Sequence, residues 1–217
     1  MTTSMSKTST GIAGAFADGL TLVRLALTPV IMLVIIKGGW PAIDIAIIAS
    51  LLFAIAAITD IIDDMVGGSA RSKFRHLGWL DDIADTVLIT GTLAAMFWTL
   101  KLSGYLSWVF SFPALLIITR DAAVGLLKSG DYRTTGWPET RFGTLKTIIS
   151  MLAICILVAN PWLSTWAGQV LGTSNGGMYA APWVSQLGLG LLWIAALLSA
   201  YTGAQILTGR VKVANDV

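Results

Sequence analysis

The sequence has 217 residues and a formal net charge of +2; 55% of its residues are hydrophobic and 12% are charged. Water-soluble domains carry about a quarter charged residues. This composition, with a mean hydropathy of +0.78, therefore excludes an ordinary soluble protein and indicates a helix bundle in lipid. Because the net charge is so small, it gives no argument for binding to nucleic acid, and no nucleic-acid partner is expected.

Six apolar segments are long enough to cross a membrane, since a spanning helix needs about 20 mostly apolar residues. They predict an all-α integral membrane protein, a six-helix bundle that takes up residues 1–217 as a single domain. A short interfacial helix between Thr10 and Asp18, ahead of the first span, is also compatible with the sequence. The predicted spans are Gly19–Ile36, Pro41–Val66, Gly78–Leu100, Tyr105–Lys128, Gly143–Asn160 and Val184–Leu207.

Basic residues are concentrated in the segments on one side of this predicted bundle, and the other side carries Lys37 and Lys101. Because cytoplasmic loops are enriched in Lys and Arg, both termini and the loop between the second and third spans are predicted to face the cytoplasm. The expected location is a bacterial inner membrane. Trp40 and Trp162 lie near predicted span ends, where an aromatic belt is expected.

The acidic residues are also unevenly placed, since six of the twelve lie between Asp60 and Asp85. Asp60 and Asp63 share one face of the second helix, and Asp81 and Asp85 share one face of the third. A short loop joins these helices, so four carboxylates are predicted to converge at the cytoplasmic edge. Divalent cations would relieve their repulsion, and carboxylate ligands favour Mg²⁺, Mn²⁺ or Ca²⁺. The alternative is that each aspartate caps a helix or lies in interfacial water.

The segments "DIID" and "LDDIAD" resemble the CDP-alcohol phosphotransferase family, whose pattern is D-x-x-D-G-x-x-A-R followed by G-x-x-x-D-x-x-x-D. The segments "DGLTLVRLALTP", "TRDAAVGLLK" and "RFGTLKT" resemble the family's first, fourth and fifth helices. The spacing from Asp63 to Asp81 resembles the subgroup of phosphatidylglycerolphosphate and cardiolipin synthases. The resemblance extends from about Asp18 to Leu157.

This resemblance implies that two divalent cations, Mg²⁺ or Mn²⁺, are held by Asp60, Asp63, Asp81 and Asp85. Asp85 would also be the catalytic base that takes the proton of the acceptor hydroxyl. The implied reaction transfers a phosphatidyl or related group from a CDP-linked lipid, such as CDP-diacylglycerol, to an alcohol such as glycerol 3-phosphate. CMP is released, and the product enters phospholipid synthesis. Family members are commonly homodimers surrounded by membrane lipids.

The nucleotide half of the pattern departs from the family. Asp64 stands where the family has Gly, and Gly67 and Gly68 stand where it has Ala-Arg. A bulge at the two glycines would bring Arg71 toward the nucleotide, so we predict a nucleotide site formed by Asp60, Gly67, Gly68 and Arg71. The departures leave three options: a different register, an altered donor, or a chain that binds without turnover.

Basic residues of the later helices are candidates for binding the acceptor alcohol. Arg120 lies within an apolar helix, where a charge suggests a functional site, although pairing with its neighbour Asp121 is an equal alternative. Lys146 and Arg141 complete the predicted acceptor or phosphate site, and the positive-inside bias alone also accounts for Arg141. Arg24 of the first helix is expected to pair with an aspartate or a lipid phosphate.

Two further functions stay open at this point. A membrane cation or proton carrier could use the aspartates, although carriers favour ionisable residues near the bilayer midplane. A non-catalytic member of the family would account for the altered Gly and Ala-Arg positions.

Overall fold

The computed structural model of the protein describes residues 3–67, 78–128, 141–171 and 181–207, and these residues form six helices. Each helix contains a segment long and apolar enough to cross a membrane, which confirms the predicted all-α, six-helix membrane fold. The helices are α1 Thr3–Gly38, α2 Ile43–Gly67, α3 Gly78–Leu102, α4 Trp108–Lys128, α5 Arg141–Val170 and α6 Pro182–Leu207.

The helices pack as a closed ring in the order α1, α2, α5, α6, α4, α3, and α3 also contacts α5 across the ring. The centre of the ring is apolar and excludes solvent, whereas the outer faces carry exposed leucines and isoleucines, as expected for lipid contact. Fully buried central side chains include Phe53, Leu88, Leu93, Ile117, Ile154 and Leu192.

Gly91 determines how closely α1 packs against α3. A Cβ atom at this position would lie 3.0 Å from Met32 Sδ and 3.2 Å from Thr28 Cγ2. Small residues let membrane helices approach closely, so the absence of a side chain at Gly91 allows the two helices to pack here. This close packing places the buried face of α1 beside α3.

Consecutive helices cross the bundle in opposite directions. One end of the bundle therefore collects the starts of α1, α3 and α5 and the ends of α2, α4 and α6; we call it the site end. At the opposite end the Trp40 indole donates to the Val158 carbonyl at 3.1 Å, and the Trp162 indole donates to Ser50 Oγ at 3.0 Å. Trp40 is 6% exposed, so at this end its indole packs within the bundle.

Two helix boundaries differ from the sequence prediction. Helix α1 is continuous from Thr3 into the first span, so residues 10–18 extend that helix instead of forming a separate interfacial one. Helix α5 passes through Pro161 and ends at Val170, not at the predicted Asn160. Proline is tolerated inside membrane helices because neighbouring groups can satisfy the backbone carbonyl that it leaves without a donor.

Candidate active site

Three aspartates from two helices meet at the site end. Asp60 lies near the end of α2, and Asp81 and Asp85 lie one turn apart near the start of α3. One carboxylate oxygen from each lies within 4.8 Å of the others. Asp81 is 7% exposed, and the other two are half-buried. Asp63 follows Asp60 by one turn of α2, but its side chain lies outside the described part of the chain.

Arg24 of α1 places its guanidinium among these three carboxylates. Its side chain is 0% exposed, and Nη1 lies 3.0 Å from Asp60 Oδ1 and 3.2 Å from Asp81 Oδ1. Nη1 also donates a hydrogen bond to Asp85 Oδ1. The expected pairing of Arg24 with an aspartate is therefore confirmed, and it involves three carboxylates from two helices.

The carboxylates fit a hard divalent cation. One oxygen from each carboxylate lies close enough to the others for the three to bind one ion. Carboxylate ligands are those that Mg²⁺ and Mn²⁺ prefer. Three carboxylates and one guanidinium leave a formal charge of −2, which a divalent ion would neutralise. Thr21 on the same face of α1 lies with its hydroxyl 3.5 Å from Asp81 Oδ1, so two polar groups of α1 approach the cluster.

A second charged cluster joins α4, α5 and α6. Asp121 is 3% exposed, and both of its carboxylate oxygens accept from Lys146 Nζ at 2.8 Å. Arg120 Nη1 donates to Asp121 Oδ1 at 2.7 Å, and its Nη2 donates to the Thr202 hydroxyl at 2.8 Å. The local pairing that was the alternative for Arg120 is thus present. Among the described residues, the cluster therefore brings two cations and one carboxylate into contact.

Arg120 lies against the backbone of α6 because of Gly203. A Cβ atom at Gly203 would lie 3.1 Å from Arg120 Cγ and 3.3 Å from its Nε. The Nε atom is buried and has no hydrogen-bond partner in the described part of the chain. Arg120 is therefore held by its guanidinium nitrogens at one end and by close contact with α6 along its stem.

The remaining predicted residues are only partly described. Gly67 is the last residue of α2, and Arg141 is the first residue of α5, but nothing is described of the Arg141 side chain. Gly68 and Arg71 lie outside the described residues. The predicted bulge and the nucleotide site therefore stay predictions.

Sequence reasoning did not assign Thr202 and Gly203. Their helix is apolar throughout, and a threonine near its end is a weak signal by itself. A spacing signal did exist on α1, where the buried polar residues Asp18, Thr21 and Arg24 recur every three residues. That spacing places them along one helix face.

Residues 15–201 match the family model described as CDP-alcohol phosphatidyltransferase. The match covers most of the chain and includes the charged residues of both clusters. The protein belongs to this family. Its members use divalent metal ions, which agrees with the acidic cluster.

Relatives within the family refine the comparison. The chain is 32% identical over 142 residues to the probable phosphatidylglycerophosphate synthase of Mycobacterium tuberculosis, a match that covers 65% of each protein. It is 26% identical over 193 residues to the CDP-diacylglycerol–glycerol-3-phosphate 3-phosphatidyltransferases of Salmonella choleraesuis and Shigella flexneri. Those matches cover 87% of this chain and 91% of each relative.

Proposed function

We propose that this protein transfers a phosphatidyl group from CDP-diacylglycerol to glycerol 3-phosphate and releases CMP, as a step of phospholipid synthesis. The observation that carries the proposal is the placement of an acidic cluster and a basic cluster at one end of the same bundle. The names of the relatives support the choice of donor and acceptor. Asp60 lies at the very end of its spanning segment, which favours an enzyme at the membrane edge over a carrier.

The acidic cluster supports the chemical step. Asp60, Asp63, Asp81 and Asp85 would hold two Mg²⁺ or Mn²⁺ ions, which when bound supply charge neutralisation and polarisation of the transferred phosphoryl group. Asp85 accepts the proton of the acceptor hydroxyl. The hydroxyl oxygen then forms a bond to the phosphorus that carries diacylglycerol, and the bond from that phosphorus to the CMP oxygen breaks. CMP leaves with the electron pair.

The basic cluster supports recognition of the acceptor. Glycerol 3-phosphate carries a phosphate dianion, and Arg and Lys donate charge-assisted hydrogen bonds to phosphate oxygens. We assign this role to Arg120 and Lys146, with Arg141 at the start of α5 as a third contact. Asp121 accepts hydrogen bonds from both cations and so fixes their positions relative to each other.

The donor nucleotide is assigned to Asp60, Gly67, Gly68 and Arg71. The variant Asp64→Gly, which restores the family residue, tests this assignment. Tighter CDP binding in the variant would mean that Asp64 weakens an ancestral site. Unchanged or weaker binding would mean that Asp64 belongs to a rebuilt one.

The orientation and assembly are also proposals. We place both termini and the site end on the cytoplasmic side of a bacterial inner membrane, supported by the bias in Lys and Arg and by the bacterial relatives. A reporter fused after Val217 should be active only in the cytoplasm, and periplasmic activity would contradict the orientation.

A homodimer, supported by the family resemblance, should appear as twice the chain mass in detergent.

The function is tested with the purified full chain, Mn²⁺, CDP-diacylglycerol and a panel of acceptors. We expect CMP release and a phosphatidylglycerophosphate product with glycerol 3-phosphate, and less of either with phosphatidylglycerol or an inositol phosphate. If CMP is released only in the presence of a different acceptor, the reaction class stands but glycerol 3-phosphate is not the acceptor. Binding of CDP and Mn²⁺ without CMP release in the presence of any acceptor would instead support the non-catalytic alternative.

A further inference from the structure

We propose that Arg24 is a tethered counter-cation, whose Nη1 atom occupies the position between Asp60, Asp81 and Asp85 that a divalent ion would take. The ion and the guanidinium are therefore competitors for one site, and metal binding requires Nη1 to leave. This inference rests on the metal site of the proposed function and adds a role for a residue of α1.

The geometry of the contacts indicates that Nη1 of Arg24 and a divalent ion exclude each other from the site. Nη1 lies 3.0 Å from Asp60 Oδ1 and 3.2 Å from Asp81 Oδ1, and it also donates to Asp85. The three carboxylate oxygens all lie within 4.8 Å of one another. A Mg²⁺ ion binds oxygen ligands at about 2.1 Å. An ion that touches all three oxygens would therefore overlap the guanidinium nitrogen that already lies among them.

The burial of Arg24 explains why the chain carries a cation there. Three carboxylates held this close repel one another strongly when no positive charge lies between them. Arg24 is 0% exposed, so it provides that positive charge from within the bundle. Its charge stabilises the arrangement of α2 and α3 in the absence of metal. The same charge must weaken the binding of any ion that replaces it.

The formal charge of the cluster favours the approach of a divalent cation. With the guanidinium in place, the three carboxylates retain a charge of −2, which still attracts a divalent ion to the cluster. Thr21 and Arg24 both reach the cluster from α1. The movement that the proposal requires is a change in the dihedral angles of the Arg24 side chain.

The test compares Mn²⁺ binding to the wild-type protein and to Arg24→Gln, measured on purified full chain by the resonance signal of free Mn²⁺. If Arg24 competes, Arg24→Gln should bind Mn²⁺ at least about tenfold more tightly, because a unit positive charge at contact distance has been removed. Metal-free Arg24→Gln should melt at a lower temperature than wild type. Saturating Mn²⁺ should narrow or close that difference.

Two further variants serve as controls. Arg24→Lys retains the positive charge on a side chain of similar length, so its Mn²⁺ affinity should stay closer to wild type than that of Arg24→Gln. Arg120→Gln removes a guanidinium from the second cluster and should leave Mn²⁺ affinity unchanged. A purely structural role for Arg24 predicts a different result, namely an equal fall in melting temperature with and without Mn²⁺.

Weaker or unchanged Mn²⁺ binding in Arg24→Gln, beside normal binding in wild type, would overturn the competition and leave the proposed function intact. Failure of wild type to bind Mn²⁺ would overturn both. Should Arg24→Gln not fold, a structure of the wild-type protein with Mn²⁺ decides the question. Nη1 must then have left the three carboxylates, and its retention between them beside bound Mn²⁺ would refute the proposal.

Discussion

Lys146 of α5 donates to both carboxylate oxygens of Asp121 of α4, each at 2.8 Å. Both side chains are almost completely buried, so the contact links two helices where neither charge is well hydrated. Because Arg120 donates to the same carboxylate, Asp121 fixes the positions of two cations at once. The geometry of the proposed phosphate site thus depends on a residue that does not itself bind phosphate.

Asp121→Asn should strongly destabilise the protein. The substitution removes the charge of Asp121 from beside the buried Lys146, and breaking a buried pair from one side costs about 3–5 kcal/mol. For a chain of this size we expect the melting temperature to fall by roughly ten degrees. Asp44→Asn, at an exposed position in the first turn of α2, is the matched control and should change it little. Equal effects of the two substitutions would contradict a stabilising role for the buried pair.

Gly203→Ala should weaken acceptor binding more than catalysis. The new Cβ atom would lie 3.1 Å from Arg120 Cγ, so the Arg120 side chain must shift by a few tenths of an ångström. We expect KM for glycerol 3-phosphate to rise by up to about tenfold with kcat largely retained, as for loss of ground-state binding. Steady-state assays of CMP release measure both constants.

Gly190→Ala is the control on the same helix, since a Cβ atom there meets nothing within 4 Å. Both substitutions gain the same helix propensity, about 1 kcal/mol, so their difference isolates the contact with Arg120. A KM that rises equally in both variants would show that Arg120 is not the cause.

Divalent metal should stabilise the wild-type protein against heat. An ion that binds only the folded state adds about 2.7 kcal/mol of stability at one hundred times its dissociation constant. The melting temperature should therefore rise with millimolar Mg²⁺ or Mn²⁺. Asp81→Asn, which removes the most buried carboxylate of the cluster, should abolish most of the rise. A wild-type protein insensitive to either ion would rule out the metal site.

Asp85→Asn should separate catalysis from binding. The variant keeps the size of the side chain but removes its basicity, and general-base catalysis is worth about 10²–10⁴ in rate. CMP release should fall by at least the lower factor, while CDP and Mn²⁺ still bind. Asp60→Asn should instead weaken metal and nucleotide binding together, with partial rescue by excess Mn²⁺. Near-normal turnover of Asp85→Asn at saturating donor and metal would exclude Asp85 as the base.

The sequence was sufficient for features determined by local pattern. The number of helices followed from the number and length of the apolar segments. The approach of Asp60 to Asp81 and Asp85 followed from their helical spacing and from the short connection between the second and third helices. The pairing of Arg24 with aspartate followed from the cost of a charge in an apolar helix.

Features set by contacts between distant helices were not predictable in this way. Trp40 is buried because it meets the Val158 carbonyl of α5, and no local pattern identifies that partner. Helix α5 continues beyond Pro161 because its membrane-buried surroundings tolerate a residue that would usually end a helix. The contact of Arg120 with Thr202 and Gly203 joins residues more than eighty positions apart, so it could be identified only from the three-dimensional structure.

The position of Arg24 in α1 also has a consequence for the order of synthesis. The ribosome completes Arg24 before any of its three carboxylate partners, and Asp60 follows 36 residues later. At about 5–20 residues per second, this interval lasts roughly 2–7 s. During this interval the first helix must hold an arginine whose three partners on α2 and α3 have yet to be made. Arg24 lies two turns from the start of its spanning segment at Asp18, where a long side chain can still reach the headgroups. Lipid phosphates can therefore hold the guanidinium until α2 and α3 bring the aspartates to it.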